Sequence, residues 1–262
     1  MEHALYPNKN KIINSVERGK RFDERPLLQM RKIEVEDLVS KKAEGSARVK
    51  IGKTEVVAGV KRDLQTPYTD SPDKGTMIVS VELIPLSSPD FEPGPPDIKA
   101  VEMARIIDRG IRESDVIDFK QLCVKEGEKV WCVFIDIYSI NDDGNLLDAS
   151  ALAATLALRN AFLPKLEGDK VVYGELTNKK LPLKKDFPIT VTVYKIGKEF
   201  VVDPSIEEER AADARLSVAI TLPDSIHAMQ KGGHATFTLE ELDKVVGIAV
   251  DKAKEIKKEL KI

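Results

Sequence analysis

The chain has 262 residues, 42% of them hydrophobic, enough to bury one large core or two fused lobes and too many for a disordered polymer. Its formal net charge of −3, from 41 basic and 44 acidic residues, excludes nucleic-acid binding by bulk positive charge, so any such contact must come from a local patch. In chain order, Ile12, Ile13 and Val16 predict a short amphipathic helix that stops near Gly19. A basic turn follows, Lys20-Arg21-Phe22-Asp23-Glu24-Arg25-Pro26. The alternating stretches Ala47 to Ile51, Glu55 to Val60 and Met77 to Ile84, punctuated by Gly45, Gly52 and Asp73-Lys74-Gly75, read as an antiparallel meander. Ser87 to Asp97 carries Pro89, Pro93, Pro95 and Pro96 and reads as an irregular exposed loop.

Asp97 then caps a helix expected to run to about Ser114. Ala100, Met103, Ala104, Ile107 and Ile111 form its apolar face, and Arg105, Arg109 and Arg112 form a stripe opposite. An apolar strand, Val130 to Ile140, leads through a turn into an Ala/Leu-rich helix, Asp148 to Phe162, apolar nearly all round and so expected inside the core. A second lobe is expected near Phe187. There Ile189 to Tyr194 and Glu199 to Val202 read as a hairpin, and Ala214 to Thr221 and Ser225 to Gln230 as strands. Thr238 and Glu241 make a capping box for a final helix striped by Leu242, Val245, Val246, Ala249, Val250, Ala253 and Ile256. Strands followed by helices in each half predict an α+β protein of two similar lobes, divided as 1–25 (helix and basic turn), 26–186 and 187–262.

Other function classes find little support. Cys123 and Cys132 form no CxxC pair and read as reduced, buried thiols. No stretch reaches the ~20 apolar residues of a membrane span, and Met1 to Lys11 is polar, so a soluble cytoplasmic protein is expected. No cofactor and no metal are expected. Asp136, Asp142 and Asp143 read as strand and turn residues, and His3, His227 and His234 are scattered.

The turn Asn141-Asp142-Asp143-Gly144-Asn145-Leu146-Leu147-Asp148 is the informative one. A strand ending in a glycine turn at a helix N-terminus is suited to hold an anion, because free N–H groups and the helix dipole point there. A working phosphate site would add a hydroxyl and an arginine fork. Here the candidate positions hold Leu146 and Leu147 among aspartates, so the geometry suits phosphate and the chemistry does not.

Several segments, taken in order, resemble the RNase PH family. They are Arg21-Phe-Asp-Glu-Arg25, Gly45-Ser46-Ala47-Arg48-Val49, Asp143-Gly144-Asn145 before the Ala-rich helix, and Val201-Val202-Asp203-Pro204 before an acidic run. Pro67 to Gly75, Val130-Trp131 and Asp142 to Ala149 look like the non-catalytic RNase PH-like subunits of archaeal exosome cores. The resemblance spans about Arg21 to the last helix and implies the RNase PH fold, with two ribosomal protein S5 domain 2-like lobes. Catalytic members of the family cleave RNA from its 3′ end with inorganic phosphate as nucleophile. The resemblance implies that they need a Gly-Ser/Thr-Arg turn, a pair of arginines for RNA and an acid/base aspartate. Counting back from the Leu156-Ala157-Leu158 end of the helix puts Leu146 and Leu147 at the Ser/Thr-Arg pair, and Ile98-Lys99 falls where the paired arginines are expected. Asp203 matches a family acid and Glu209 stands at a second acidic position, so these four, Leu146, Leu147, Asp203 and Glu209, read as vestigial.

The resemblance therefore implies a catalytically inactive subunit in a hexameric ring, three copies alternating with three of a catalytic RNase PH-like partner, topped by RNA-binding cap proteins and admitting single-stranded RNA. The expected RNA contacts are Arg105, Arg109 and Arg112, with Lys61 and Arg62 as weaker candidates. The bland alternatives stay open: a solvated arginine face, and an acidic run Glu207-Glu208-Glu209 that merely caps the next segment. So do a phosphorolytic 3′-5′ exoribonuclease active by itself, using Asp203 with Arg25, Arg105 and Arg109, a metal-dependent hydrolase built on the aspartates, and a homo-oligomeric RNA-binding scaffold.

Overall fold

The computed structural model describes residues 9–168, 170–223 and 225–262, so the reading of His3, and most of that of Met1 to Lys11, lies outside the described residues. Helix α1 (Lys9–Glu17) buries Ile12 and Val16 in a small cluster with Ile196, Val201 and Ala211. Strands β1 (Ile33–Asp37), β2 (Gly45–Ile51) and β3 (Thr54–Gln65) then run antiparallel. Along β3, buried and half-buried residues alternate, as a sheet covered on one face requires.

The meander ends there. Strand β4 (Thr76–Glu82) does not pair with β3 but lies parallel to β6 (Lys129–Asn141), which inserts between them, giving the order β1-β2-β3-β6-β4. A parallel pair needs a crossover, and α2 (Ile98–Glu113), capped by Asp97 Oδ1 accepting from Ala100 N–H at 2.7 Å, supplies it with a 3-10 turn and the short β5 (Cys123–Lys125). Alternation gives each strand's buried face, but it says nothing about which neighbour it pairs with.

Helix α3 (Leu146–Arg159) is buried at every position from Leu146 to Leu158, because it touches β2 and β3 on one side and the second sheet on the other. Its alanines permit this close approach. Gly45 does the same from β2: an added Cβ there would stand 2.3 Å from the Ala157 carbonyl oxygen. A hairpin unread in the sequence, β7 (Phe162–Glu167) with β8 (Lys170–Lys180), follows. The second sheet has the order β10-β9-β11-β12, from β9 (Ile189–Ile196), β10 (Glu199–Val202), β11 (Ala214–Thr221) and β12 (Ser225–Gly233). Helix α4 (Ile206–Ala211) links β10 to β11, and α5 (Leu239–Leu260), opened by the Thr238–Glu241 capping box, covers β9 and β11.

One buried polar seam crosses between the lobes. Asp148 in the first turn of α3 accepts from the Thr192 N–H at 2.9 Å and its hydroxyl at 2.6 Å, and Thr192 Oγ1 lies 2.9 Å from Ser217 Oγ. Burial pushes the Asp148 carboxyl from 3.8 up to about 7, with the Asp203 charge assisting against the Thr192 bonds. The folded state thus holds this proton more tightly than the unfolded chain does. Its contribution is full below 3.8 and is lost as pH rises towards 7.

Two outcomes follow for the purified chain. The melting temperature should fall as pH rises through the window from about 4 to about 7, and Asp148→Asn should flatten that fall, since a tenfold difference in proton affinity is worth about 1.36 kcal/mol. In urea unfolding, Gly45→Ala should lose about 2 kcal/mol or more by overpacking. Gly247→Ala, on an open face of α5 with nothing within 4 Å, should be neutral or stabilising.

Candidate functional site

At the end of β6 the chain turns through Gly144, whose φ of 86° is open to glycine and whose added Cβ would meet Pro204 O at 2.4 Å. Asn145 is the N-cap of α3, itself left-handed (φ 59°) and without a side-chain cap bond. The helix therefore starts two residues before the Asp148 expected from periodicity. Leu146 and Leu147 are its first residues, 1% and 5% exposed, and both belong to the hydrophobic core. Counting forward from Gly144 would assign the family's Ser/Thr-Arg pair to Asn145-Leu146, one residue earlier than the count from the far end. Neither register supplies an arginine.

The helix N-terminus is not left open. Glu209, reaching over from α4, accepts the Asn145 N–H through Oε2 at 2.9 Å. A carboxylate of the protein itself thus meets the dipole where an anion would be expected to sit. Asn145 Nδ2 donates to Asp203 Oδ1 at 3.0 Å.

Asp203, at φ 47° and 1% exposed, is enclosed by cations. Its carboxylate accepts from Arg31 N–H (2.7 Å), Arg31 Nε (2.9 Å) and Arg31 Nη2 (2.7 Å), and from Arg25 Nη1 (2.9 Å). Burial pushes its carboxyl up, but the Arg31 guanidinium and then Arg25 outweigh that, leaving it below the ordinary 3.8. A general acid or base works with a pKa near the working pH and a reachable proton. In this structure Asp203 is an ion-pair centre.

The same arginines sew the turn together. Arg31 Nη1 donates to the Asp143 carbonyl at 2.8 Å and Arg31 Nη2 to that of Gly144 at 3.0 Å. Arg21, buried, forks onto Glu208 (Nε–Oε1 3.0 Å, Nη2–Oε2 2.5 Å) and donates to the Val202 and Asp203 carbonyls. Thus Arg25 is committed to Asp23 and Asp203 and is not a free anion-binding cation. Arg31 and the Arg21–Glu208 fork escape a reading of the sequence, since no local pattern marks a pair 187 positions apart.

The other acids are also committed. Asp136 accepts from Ser80 Oγ at 2.7 Å, Asp142 faces Lys99 at 3.6 Å, and Asp143 faces Arg31 at 3.2 Å. No cluster of three or more metal-ligating side chains exists among the described residues. His227 Nε2 lies 2.7 Å from Thr221 Oγ1, and His234 is exposed, tied through its backbone N–H to Asp213.

The expected RNA contacts separate into three kinds. Arg105 and Arg109 stand exposed on α2 with no hydrogen bond or ion pair among the described residues. They form the ridge between a cavity of about 240 Å³ towards β12, lined by Ile98, Val101 and Met229, and a more open one of about 580 Å³ towards β4. Arg112 is exposed but occupied, forking onto Asp108 (3.0 and 2.7 Å), donating to Met77 O, and covering the Phe119 ring at 5.8 Å. Lys61 pairs with Glu44 Oε1 at 2.6 Å. Arg62 corrects the expectation outright: it is 1% exposed, turned into the core, and donates to Phe162 O, and burial pulls its guanidinium down to about 10. It is the inward member of an alternating strand, whereas the tandem Lys61-Arg62 reads in the sequence as a surface pair.

Two family models match the chain, the 3′ exoribonuclease family (RNase PH) domain 1 over residues 29–164 and domain 2 over residues 186–252. The chain is similar to the exosome complex component Rrp42 of Archaeoglobus fulgidus, 43% identical over 250 residues (95% of this chain and 94% of that one). It is 46% identical over 249 residues to the protein of the same name from Pyrococcus horikoshii (94% of this chain, 91% of that one). Among solved structures, a chain of the Archaeoglobus fulgidus exosome with RNA bound to the active site superposes with a TM-score of 0.88 at 42% identity, covering 97% of both chains. One of an archaeal exosome core gives 0.84 at 38%, covering 97% of this chain and 96% of that one. No helix among the described residues is long and apolar enough to cross a membrane. Matched in both domains and along nearly its whole length, with two β-sheets enclosing one buried helix, the chain belongs to the RNase PH family of 3′ exoribonucleases.

Proposed function

We propose that this chain is a non-catalytic subunit of an archaeal-type exosome, acting in the cytoplasm. It would form a hexameric ring with a catalytic RNase PH-like partner, three copies of each alternating, topped by RNA-binding cap proteins. In that ring it shapes the partner's active site and grips single-stranded RNA during 3′-5′ degradation. Its relatives carry the name of exosome components, and one solved relative comes from an exosome with RNA at its active site. The observation that carries the inactive reading is the Glu209 carboxylate on the Asn145 N–H beside two core leucines. Phosphorolysis must bring two anions together, so the site needs cations to offset their repulsion and to stabilise the transferring group. This turn offers the incoming phosphate another anion instead. Asp203, saturated by arginine, offers no proton. The loss of even one donor to transition-state charge typically slows such a reaction by roughly 10²–10³-fold.

The arginines of α2 serve the second half of the reading. A guanidinium with no partner among the described residues can exchange its hydration for a phosphate. Arg105 and Arg109 lie one turn apart on the same face, so one strand of backbone can reach both.

Purified chain given single-stranded RNA and phosphate should release no nucleoside diphosphate above a blank, and adding a catalytic relative should restore release. Turnover by the chain alone would overturn the inactive assignment. In the reassembled ring, Arg105→Glu with Arg109→Glu should weaken RNA binding. The slope of log K against log salt should become shallower by about 0.7 for each phosphate that the protein ceases to neutralise. An unchanged slope would return this stripe to ordinary surface.

A further inference from the structure

The segment between β3 and β4 presents an aromatic ring that neither the core nor the ion-pair network uses. Pro67 is buried, whereas Tyr68 beside it is 66% exposed. The loop that carries the ring is pinned along its length. Ser71 N–H donates to Tyr68 O at 3.1 Å, Lys74 N–H to Ser71 O at 3.2 Å, and Gly75 N–H to Phe119 O at 2.8 Å; Gly127 N–H donates to Pro72 O at 3.0 Å. Through Phe119 the loop meets the arginine stripe, because that ring lies under the Arg112 guanidinium. Asp108 and the carbonyl of Met77, at the start of the strand that this loop enters, hold Arg112 in turn. Tyr68 is therefore an exposed ring on the loop that enters β4 beside Met77, the residue that holds Arg112, and Arg112 ends the arginine row about 10 Å along the helix from Arg105.

The chemistry of the two groups differs. Arginines on an exposed stripe answer the phosphates foremost, whereas an exposed aromatic face offers a stacking surface to any base. The loop also carries Asp70 and Asp73, which discourage phosphate beside it and leave the ring to the base side of a strand. Fixing the backbone in advance removes the ordering entropy that a free loop would lose on binding.

We infer that Tyr68 is a base-stacking platform for single-stranded RNA whose phosphates run along Arg105 and Arg109. This rests on the RNA reading above and adds a second, base-directed mode of grip.

The test uses the reassembled ring and two probes of equal length, an oligoadenylate and an abasic ribose-phosphate oligomer, followed by fluorescence anisotropy. Tyr68→Ala should weaken oligoadenylate binding about tenfold, the effect of losing one stacked base. It should leave the abasic probe and the salt slope unchanged, and Tyr68→Phe should bind as the parent does. No loss for oligoadenylate, equal loss for both probes, or a ring that falls apart would each overturn the inference, the last pointing to a protein contact. If charge reversal at Arg105 and Arg109 leaves binding untouched, the RNA reading itself fails, whatever Tyr68 does.

Discussion

The carboxylate of Asp203, shut away from solvent and met by Arg25 and Arg31, ties three distant pieces of chain into one junction. The basic segment between α1 and β1, the turn between β6 and α3, and the strand end before α4 all converge on it. Desolvating a carboxylate costs several kcal/mol, recovered only when cations and N–H groups fill its lone pairs with good geometry. Here Arg31 donates from its backbone and from two guanidinium nitrogens, and Arg25 and Asn145 add further bonds. The second buried fork, Arg21 on Glu208, repeats the arrangement one turn away. Truncating Arg31 would strip the Asp203 carboxylate of two guanidinium bonds where water cannot replace them, a costly loss in so dry a place.

That junction sets the position of α3, and α3 sets the relation of the two sheets. The helix has almost no free face, since strands of the first sheet cover one side and β9 the other. Small residues allow the approach, and Asp148 with Thr192 and Ser217 supplies a polar stitch across the seam, joined by Thr155 Oγ1 donating to Pro188 O at 3.3 Å. Packing fixes the spacing of the sheets, while the hydrogen bonds of the stitch favour one register of α3 on β9.

A phosphorolytic site and this junction use the same ingredients in opposite ways. A working site keeps cations unpaired so that anions can arrive. In this chain the cations beside the turn are paired with its own acids, and Glu209 occupies the N–H of Asn145. Here those ingredients hold the turn itself together. Positive charge with no partner among the described residues lies elsewhere, on the outer face of α2, where Arg105 and Arg109 face solvent between two grooves. The division accords with the non-catalytic role proposed above.

The sequence by itself determined the α+β class, the positions of most strands and helices, both caps at Asp97 and Thr238, and the absence of any arginine from the turn between Asn141 and Asp148. Those features are local: alternation, a 3.6-residue period, a capping residue, or a side chain that is present or absent. Tertiary structure alone decided that β4 lies parallel to β6, that Arg62 points inward, and that Asp203 meets Arg25 and Arg31 while Glu209 meets the Asn145 N–H. Each of these depends on which distant segment arrives alongside, as when Arg31 meets a carboxylate 172 positions away. Charge and periodicity say what a residue can do. Only the packed chain says what stands opposite it, and that neighbour decides whether a carboxylate is a catalyst or a clasp.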